Sequence, residues 1–227
     1  MTKENIVKIL KIEQVTHDVK RFVVEKPKGY SFVPGQATDV SINEEGWKKE
    51  KRPFTFTSLN SEINLEFTIK GYPEHDGVTK KLHTLKEGDE LIIEEPWGAI
   101  KYHGRGIFIA GGAGITPFIA ILRQLKIDEE INGNKLIFSN KTSKDIILKE
   151  EFEDSIFENS KENLIFTLTK EKNPRYSDKK INKEFLKEKI SDFKQNFYVC
   201  GPPSFVKDIS NSLRELGANP DGIVFEK

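Results

Sequence analysis

A glycine-rich turn, "GGAGITP", follows the continuous apolar stretch "GIFIA". Gly112 and Gly114 leave room for backbone N–H groups to approach a phosphate, and a helix beginning at Thr116 would add partial positive charge. The turn departs from the G-x-G-x-x-G dinucleotide fingerprint, because Pro117 stands in place of the third glycine. It therefore fits phosphate binding, and it also fits a plain tight connection between a strand and a helix.

A second turn of small residues, "CGPPS", also ends an apolar stretch. A lone cysteine in such a place is often a small buried hydrophobic residue. Cys200 is followed here by Gly201 and Pro202. If both turns end parallel strands, Cys200 would lie beside any ligand held over the first turn, since ligands bind outside the carboxyl ends of such strands.

The first half of the chain offers two further candidates. "RPFTFTS" presents the cation Arg52, the flat ring of Phe54 and the hydroxyl of Thr55, although its alternation also fits an ordinary half-buried strand. "DGVTKKL" places Gly77 and Thr79 at the start of a short helix, where backbone donors either meet a phosphate or simply begin the helix. A flavin in one half and a pyridine nucleotide in the other would use all of these features.

The elements that must position these residues differ between the two halves. Up to about residue 101 the chain has short strands separated by Gly, Pro, Asn and Asp turns, with one helix at "GVTKKLHTL". Beyond residue 105, apolar strands alternate with helical patterns such as "ITPFIAILRQL" and "ILKEEFEDSIF". We therefore predict an antiparallel β-barrel domain over 1–102, followed by an α/β doubly wound parallel-sheet domain over 103–227.

The composition argues against several classes of function. The 227 residues include 36 Lys+Arg and 36 Asp+Glu, so no overall charge attracts nucleic acid or an anionic membrane. One cysteine and four scattered histidines show no ligand spacing, so we expect no metal and no iron–sulfur cluster. The charged N-terminus and the lack of a long apolar stretch lead us to expect a cytoplasmic protein without a membrane segment, and we expect a monomer.

Seven motifs in order resemble those of the ferredoxin-NADP reductase superfamily over essentially the whole chain: "FVPGQ", "RPFTFTS", "DGVT", "EEPWG", "GGAGITPF", "CGPPSF" and "VFEK". Each motif is modest by itself, and their order and spacing carry the resemblance. It implies a flavin-binding barrel followed by a nucleotide-binding α/β domain. The implied activity is hydride transfer between NAD(P)H and bound FAD, with single electrons passed on to a separate carrier.

For the flavin, the resemblance implies that Arg52 neutralises the pyrophosphate, Phe54 lies against the ring and Thr55 hydrogen-bonds N5. Most relatives carry Tyr and Ser at the last two positions. Neighbours on a strand face opposite sides, so both reach the flavin only if the ring lies at the strand's edge or end. The turn at Gly77 resembles a second phosphate site and favours FAD over FMN. The other cofactor residues implied in this half are Pro53, Thr68, Lys70, Val78 and Thr79.

For the pyridine nucleotide, the resemblance implies that the first turn cradles the pyrophosphate and that the second borders the nicotinamide. The implied residues are Gly112, Gly114, Thr116, Pro117, Cys200, Gly201 and Pro202. Thr55, Cys200 and Glu226 are the candidate catalytic residues. Their role would be to orient the nicotinamide against flavin N5 rather than to perform acid–base chemistry.

The sequence leaves the choice of coenzyme open. "SNKTSKDIILKEEF" resembles the corresponding run in NADH-dependent cytochrome and nitrate reductases of the superfamily. Thr169, however, stands where those enzymes often carry an acid for the ribose 2′-hydroxyl. Without that carboxylate, Lys141, Lys170 and Arg175 would favour a 2′-phosphate, unless they form only a solvated face. NADPH is therefore expected, with NADH as the alternative.

Three functions follow from this reading. The leading one is FAD-dependent electron transfer from NAD(P)H to a separate flavodoxin or ferredoxin, because the chain has no cysteines for a cluster of its own. The second is an NADH-dependent reductase component for a cytochrome or an oxygenase. The third, a non-catalytic nucleotide-binding module, is disfavoured because Arg52, Thr55 and Cys200 occur together.

Overall fold

The computed structural model describes residues 4–98 and 100–225. Its first half is a six-stranded antiparallel sheet with strand order β4-β3-β6-β1-β2-β5. The elements of this half are β1 (Asn5–Thr16), β2 (Val19–Glu25), β3 (Ala37–Ile42), β4 (Arg52–Thr55), β5 (Asn64–Lys70), α1 (Val78–Leu82) and β6 (Glu90–Ile93). Among the described residues, no helix has the length and apolar character needed to cross a membrane.

The two edge strands of this sheet meet, so the sheet closes into a barrel. Phe56 and Phe67 form an antiparallel bridge just beyond β4, and the Thr57 N–H donates to the Glu66 carbonyl at 2.8 Å. The barrel interior is aromatic at this seam, because Phe56 also stacks on Phe32 with ring centroids 4.2 Å apart. The predicted strand "RPFTFTSL" is therefore shorter than expected, and its second part forms the closing seam.

The second half is a five-stranded parallel sheet with strand order β11-β10-β7-β8-β9. Its strands and helices are β7 (Gly106–Gly111), α2 (Thr116–Ile127), β8 (Lys135–Asn140), α3 (Lys149–Glu151), β9 (Leu164–Leu168), α4 (Lys183–Lys189), β10 (Asn196–Cys200), α5 (Pro203–Glu215) and β11 (Ile223–Phe225).

Both faces of the parallel sheet are buried. On β7, Phe108 belongs to the apolar core under α2, whereas Ile107 and Ile109 belong to the core under α4 and α5. Burial on both sides explains why these strands read as continuous apolar runs rather than alternating ones. The structure confirms the predicted fold class, an antiparallel barrel followed by a doubly wound α/β domain.

The helix predicted at "ILKEEFEDSIF" is much shorter than expected. The α-helical part is the single turn α3, and it continues as a π-helical turn over Phe152–Ile156. The Phe157 N–H donates to the Phe152 carbonyl, five residues back, at 3.0 Å. Phe152, Ile156 and Phe157 are all buried in the same core. The wider π-helical turn brings these three side chains closer to one face of the helix than a regular α-helix with 3.6 residues per turn would.

The two halves pack directly against each other. Val19 at the start of β2 and Ile100 in the connecting segment are buried within the apolar core of α2 and the parallel sheet. Gly35 has a φ of +93°, and a Cβ added there would lie 2.1 Å from the Ile100 carbonyl oxygen. The barrel turn at Gly35 therefore approaches the connection as closely as a backbone without a side chain allows.

A buried polar network centred on Arg123 of α2 joins the halves. Its guanidinium donates to the Thr57 carbonyl at 2.6 Å and to Glu66 Oε1 at 2.8 Å on the barrel. It also donates to Glu151 Oε1 and Oε2 on α3, at 2.6 and 2.8 Å. The side chains of Arg123 and Glu66 are 14% and 12% exposed.

The charges in this network compensate one another. Burial alone would lower the pKa of the Arg123 guanidinium, but the hydrogen bond to Glu151 and the charge of Glu66 outweigh it and raise that pKa above its ordinary value. Arg123 therefore stays charged. Without it, Glu66 would keep only Arg21, at 3.7 Å, as a cationic partner among the described residues, and the 27% exposed Glu151 would lose its ion pair with Arg123.

We predict that Arg123→Met lowers the free energy of unfolding by about 3 kcal/mol, because Glu151 loses its cation and Glu66 keeps only the more distant Arg21. The matched control is Lys126→Met on the same helix. Lys126 pairs with Glu158 at 2.9 Å, but the two side chains are 31% and 46% exposed, so its loss should cost less than about 1 kcal/mol. Urea unfolding of both variants measures the difference, and equal losses would contradict a special role for Arg123.

Candidate functional site

The two turns of small residues pack against each other at the carboxyl edge of the parallel sheet. A 3₁₀ turn, Gly112–Ile115, connects β7 to α2. A Cβ added at Gly114 would lie 2.4 Å from the Cys200 carbonyl oxygen, so only glycine allows this approach of the two backbones. Gly112 has a φ of +53° and nothing within 4 Å of an added Cβ, so its backbone faces open space.

These turns form one wall of a cavity of about 700 Å³, which we call the nucleotide cleft. It opens where β7, β8, β9 and β10 end, the usual ligand position in doubly wound sheets. Its other wall comes from the barrel. The lining residues are Val19, Lys70, Tyr72, Gly111, Gly112, Ala113, Gly114, Thr116, Ser139, Asn140, Lys141, Asp145, Ile147, Thr169, Cys200, Gly201, Pro202, Pro203 and Phe205.

The last residue of the barrel strand β4 contacts the wall of the cleft that the second domain forms. Thr55 Oγ1 lies 3.2 Å from Thr116 Oγ1 at the start of α2. Thr116 also donates to the Ala113 carbonyl at 3.0 Å, which leaves the Thr55 hydroxyl as the donor between the two threonines. Residues assigned from the sequence to two different cofactors are therefore in direct contact.

Phe54 and Thr55 point to opposite sides of β4, as strand geometry requires. Phe54 is half-buried and packs on the barrel core, whereas Thr55 faces α2. The exposed Arg52 shares the Phe54 side by alternation and donates to the Lys51 carbonyl at 2.7 Å. Pro53 shares the Thr55 side and lines a second cavity, described below.

The helix α1 lies beside the end of β3 in the barrel. Lys81 on α1 pairs with Glu44, just beyond β3, at 2.7 Å, and β3 is the neighbour of β4. Gly77 precedes the helix without a side-chain cap, and its N–H donates to the His75 carbonyl at 2.9 Å. Val78 is buried in the barrel core and Thr79 is half-buried, so Val78 could meet a cofactor only through its backbone.

Thr68 and Lys70, both on β5, have different surroundings. Thr68 is buried, and its hydroxyl lies 3.2 Å from that of Thr57 in the polar network under Arg123. Its side chain therefore faces α2 of the second domain, on the side of β5 opposite to Phe67 and Ile69 in the barrel core. Lys70 lines the cleft and pairs with Asp18 at 2.7 Å. His17, Asp18 and Asp145 have possible metal-ligand atoms within 4.8 Å of one another, but Lys70 already neutralises part of this charge.

Tyr72 and Asn140 are among the cleft residues that were not predicted from the sequence. Tyr72, an exposed aromatic residue just beyond β5, lines the cleft from the barrel side. Asn140 ends β8 and is 5% exposed, yet neither atom of its side-chain amide has a hydrogen-bond partner. A buried amide without partners is unfavourable unless a ligand or water satisfies it. Its position at a strand's carboxyl end was the signal available in the sequence.

The cations expected to bind a 2′-phosphate are not gathered in one place. Lys141 lines the cleft, whereas Lys170 and Arg175 do not. Arg175 instead pairs with Glu153 at 3.5 Å and lies over the Tyr176 ring, outside the cleft. Pro117 is buried within the first turn of α2, and Glu226 lies outside the described residues.

A carboxylate lies outside the cleft lining, against the segment that follows Lys141. Glu171 accepts hydrogen bonds from the Ser143 N–H at 2.7 Å and from Asn173 Nδ2 at 3.0 Å. The bond from the Asn173 side chain, together with that from the Ser143 backbone, holds the pKa of Glu171 below its ordinary value. An ionised carboxylate therefore lies two residues beyond Thr169, where the sequence was read as lacking one.

A second cavity of about 690 Å³ lies on the other side of Cys200 and Gly201. Pro53 and Trp97 line it from the barrel, and α5 lines it from the second domain. The buried Cys200 thus separates two openings, one at the ends of the parallel strands and one beside β4.

Comparison with known proteins agrees with the division of the chain into a barrel half and a parallel-sheet half. The family described as "Oxidoreductase FAD-binding domain" matches residues 6–102, and "Oxidoreductase NAD-binding domain" matches residues 108–211. The chain is 30% identical to NADH-cytochrome b5 reductase 1 of Aspergillus clavatus over 226 residues, covering 89% of this chain and 71% of that protein. It is 29% identical to NADH-cytochrome b5 reductase 2 of Mycosarcoma maydis, but it spans only 64% of that relative's length and 91% of its own.

Among solved structures, the fold is similar to that of a ferredoxin NADP+ reductase from Neisseria gonorrhoeae with bound FAD and NADP. The TM-score is 0.83 at 23% identity, and the match covers 100% of this chain and 99% of the other. At this identity the match supports the shared fold alone.

We predict that Gly114→Ala disrupts the wall of the cleft. Its methyl group would meet the Cys200 backbone, so the free energy of unfolding should fall by about 1–3 kcal/mol. Gly112→Ala is the comparison, since its methyl group meets no neighbour and costs only about 1 kcal/mol of left-handed backbone strain. Urea unfolding compares the two, and a Gly114→Ala variant as stable as wild type would argue against the close approach.

Proposed function

The chain belongs to the ferredoxin-NADP reductase superfamily of FAD- and NAD-binding oxidoreductases, and we propose that it transfers electrons from NADH through FAD to a cytochrome of the b5 type. It is an FAD- and pyridine-nucleotide-dependent oxidoreductase by virtue of its two domains. The proposed net reaction takes one NADH and two ferric cytochromes to NAD+, one proton and two ferrous cytochromes.

The acceptor and the coenzyme proposed here differ from those that the sequence favours. The sequence led us to expect a flavodoxin or ferredoxin acceptor and NADPH, with a cytochrome reductase using NADH as the alternative. The relatives named NADH-cytochrome b5 reductase support that alternative. We therefore propose NADH and a cytochrome.

The observation that carries the proposal is the contact of Thr55 on the barrel with Thr116 at the nucleotide turn, 3.2 Å apart. Hydride transfer needs its two partners in close contact at a fixed orientation. A cofactor on the barrel edge and a nucleotide in the cleft would meet where these two hydroxyls meet.

The residues around β4 suit FAD. Arg52 offers an accessible planar cation for a pyrophosphate. The Thr55 hydroxyl has one hydrogen, so it would donate to a ring nitrogen in place of its bond to Thr116. The half-buried ring of Phe54 offers a flat apolar surface. When bound, FAD supplies the ability to accept a hydride and to release its electrons singly.

The residues of the cleft suit a pyridine nucleotide. The open backbone at Gly112 leaves space for phosphate oxygens, and the unpartnered amide of Asn140 provides a buried donor and acceptor. Cys200 and Gly201 form the wall shared by the cleft and the second cavity, where they would limit how a nicotinamide lies. In this proposal these residues bind and orient the pyridine nucleotide, and none of them needs to exchange a proton.

Glu171 supports NADH on electrostatic grounds. An ionised carboxylate at the end of the second βα unit favours a ribose 2′-hydroxyl and repels a 2′-phosphate. Lys141 alone among the three predicted cations lines the cleft, so the positive charge that was expected to favour NADPH is weaker than the sequence suggested.

Anaerobic titration with FAD and stopped-flow reduction test the function. We expect the purified protein to bind FAD, to be reduced faster by NADH than by NADPH, and then to reduce two equivalents of ferric cytochrome b5 for each NADH. Flavodoxin and ferredoxin serve as competing acceptors. Failure to take up FAD would overturn the enzyme proposal, and faster oxidation by flavodoxin or ferredoxin would overturn the choice of acceptor.

We predict that Glu171→Gln narrows the preference for NADH over NADPH by roughly tenfold in kcat/KM, because it removes the repulsion of a 2′-phosphate. Glu162→Gln is the matched control, since Glu162 is exposed at the opposite end of β9. Steady-state kinetics with both coenzymes measure the ratio. An unchanged ratio in Glu171→Gln would show that this carboxylate does not discriminate.

A further inference from the structure

The second cavity gives access to the redox site from a direction that the nucleotide does not use. Cys200, Gly201 and Pro203 line both the cleft and this cavity. Pro53, next to the predicted flavin residues of β4, lines only the second one. A partner that receives electrons while a nucleotide fills the cleft needs such a separate approach.

The barrel side of this opening presents a fixed aromatic surface. The Trp97 side chain is 42% exposed, although its backbone is paired with Ala37 in both directions, at 2.6 and 2.7 Å. Its Nε1 donates to Asp39 Oδ2 at 3.0 Å, which holds the indole in one orientation. Exposed aromatic residues with restricted motion are frequent anchors of protein interfaces.

The opposite side of the opening is positively charged. Lys207, Asn211 and Arg214 line it from α5 at spacings that place them on one face of the helix. Both Lys207 and Arg214 are exposed, and within the described part of the chain neither forms an ion pair. Glu215 on the same helix pairs with Lys183 on α4 at 2.8 Å, away from the opening.

We propose that this face, formed by Pro53, Trp97, Lys207, Asn211 and Arg214, docks the acidic surface of the haem protein that accepts the electrons. The inference rests on the proposed function and names the surface by which its partner is recognised. Trp97 supplies the apolar contact, and the two exposed cations, Lys207 and Arg214, steer a negatively charged partner towards the opening. The molecule as a whole has a formal net charge of zero, so this attraction is local.

The test reverses the charges on α5. In the holoenzyme reduced with NADH, Lys207→Glu with Arg214→Glu should slow the second-order reduction of an acidic soluble cytochrome b5 by roughly tenfold or more at low ionic strength. The effect should shrink as salt is added, because exposed charges are screened. The rate at which NADH reduces the flavin should stay within about twofold of wild type, since neither residue lines the cleft.

The matched control is Lys180→Glu with Lys187→Glu, which makes the same change in net charge at exposed positions outside both cavities. If the α5 variant slows cytochrome reduction no more than this control, the docking surface is wrong while the proposed function stands. If wild-type flavin is reduced by NADH but cytochrome b5 is not reduced at any salt concentration, the proposed acceptor fails and the docking inference fails with it.

Discussion

The buried ion pairs of Arg123 are the constraint on which the relative position of the two domains depends. Thr57, whose carbonyl accepts from Arg123, lies two residues beyond Thr55, and Arg123 lies on the helix that begins at Thr116. The barrel and α2 are thus joined twice, once by the contact of Thr55 with Thr116 and once by the bonds of Arg123 to Thr57 and Glu66. Since a buried charge must keep its partners, the network permits few alternative domain positions, and close positioning is what hydride transfer requires.

Packing of small residues gives the site its shape. Gly114 lets the first βα turn touch the backbone of Cys200, so the ends of β7 and β10 form a continuous wall. That wall has an opening on each side, the cleft at the strand ends and the cavity beside β4 and Trp97. One thin wall with two approaches suits a protein that would receive electrons from a nucleotide and deliver them to a second protein, because the two ligands need not exchange places.

Local electrostatics distinguish these two openings in a protein without net charge. Beside the cleft, Glu171 accepts a hydrogen bond from Ser143, two residues beyond Lys141, and its lowered pKa keeps it ionised, which supports the proposed coenzyme without a 2′-phosphate. At the second cavity, Lys207 and Arg214 face solvent without carboxylate partners among the residues described. Charge patterns of this kind depend on which side chains the fold brings together, so counts of Lys and Glu along the chain do not reveal them.

The sequence by itself determined the two-domain architecture, because short alternating strands and continuous apolar strands leave different periodic patterns. It also predicted that the turns at Gly112 and Cys200 lie together at the edge of the parallel sheet where ligands usually bind, since both follow strands of that sheet. Only the tertiary structure showed that Thr55 contacts Thr116, that Arg175 lies outside the cleft, and that Asn140 and Trp97 line the openings. Each of these depends on contacts between segments far apart in the chain, and local patterns do not encode such distances.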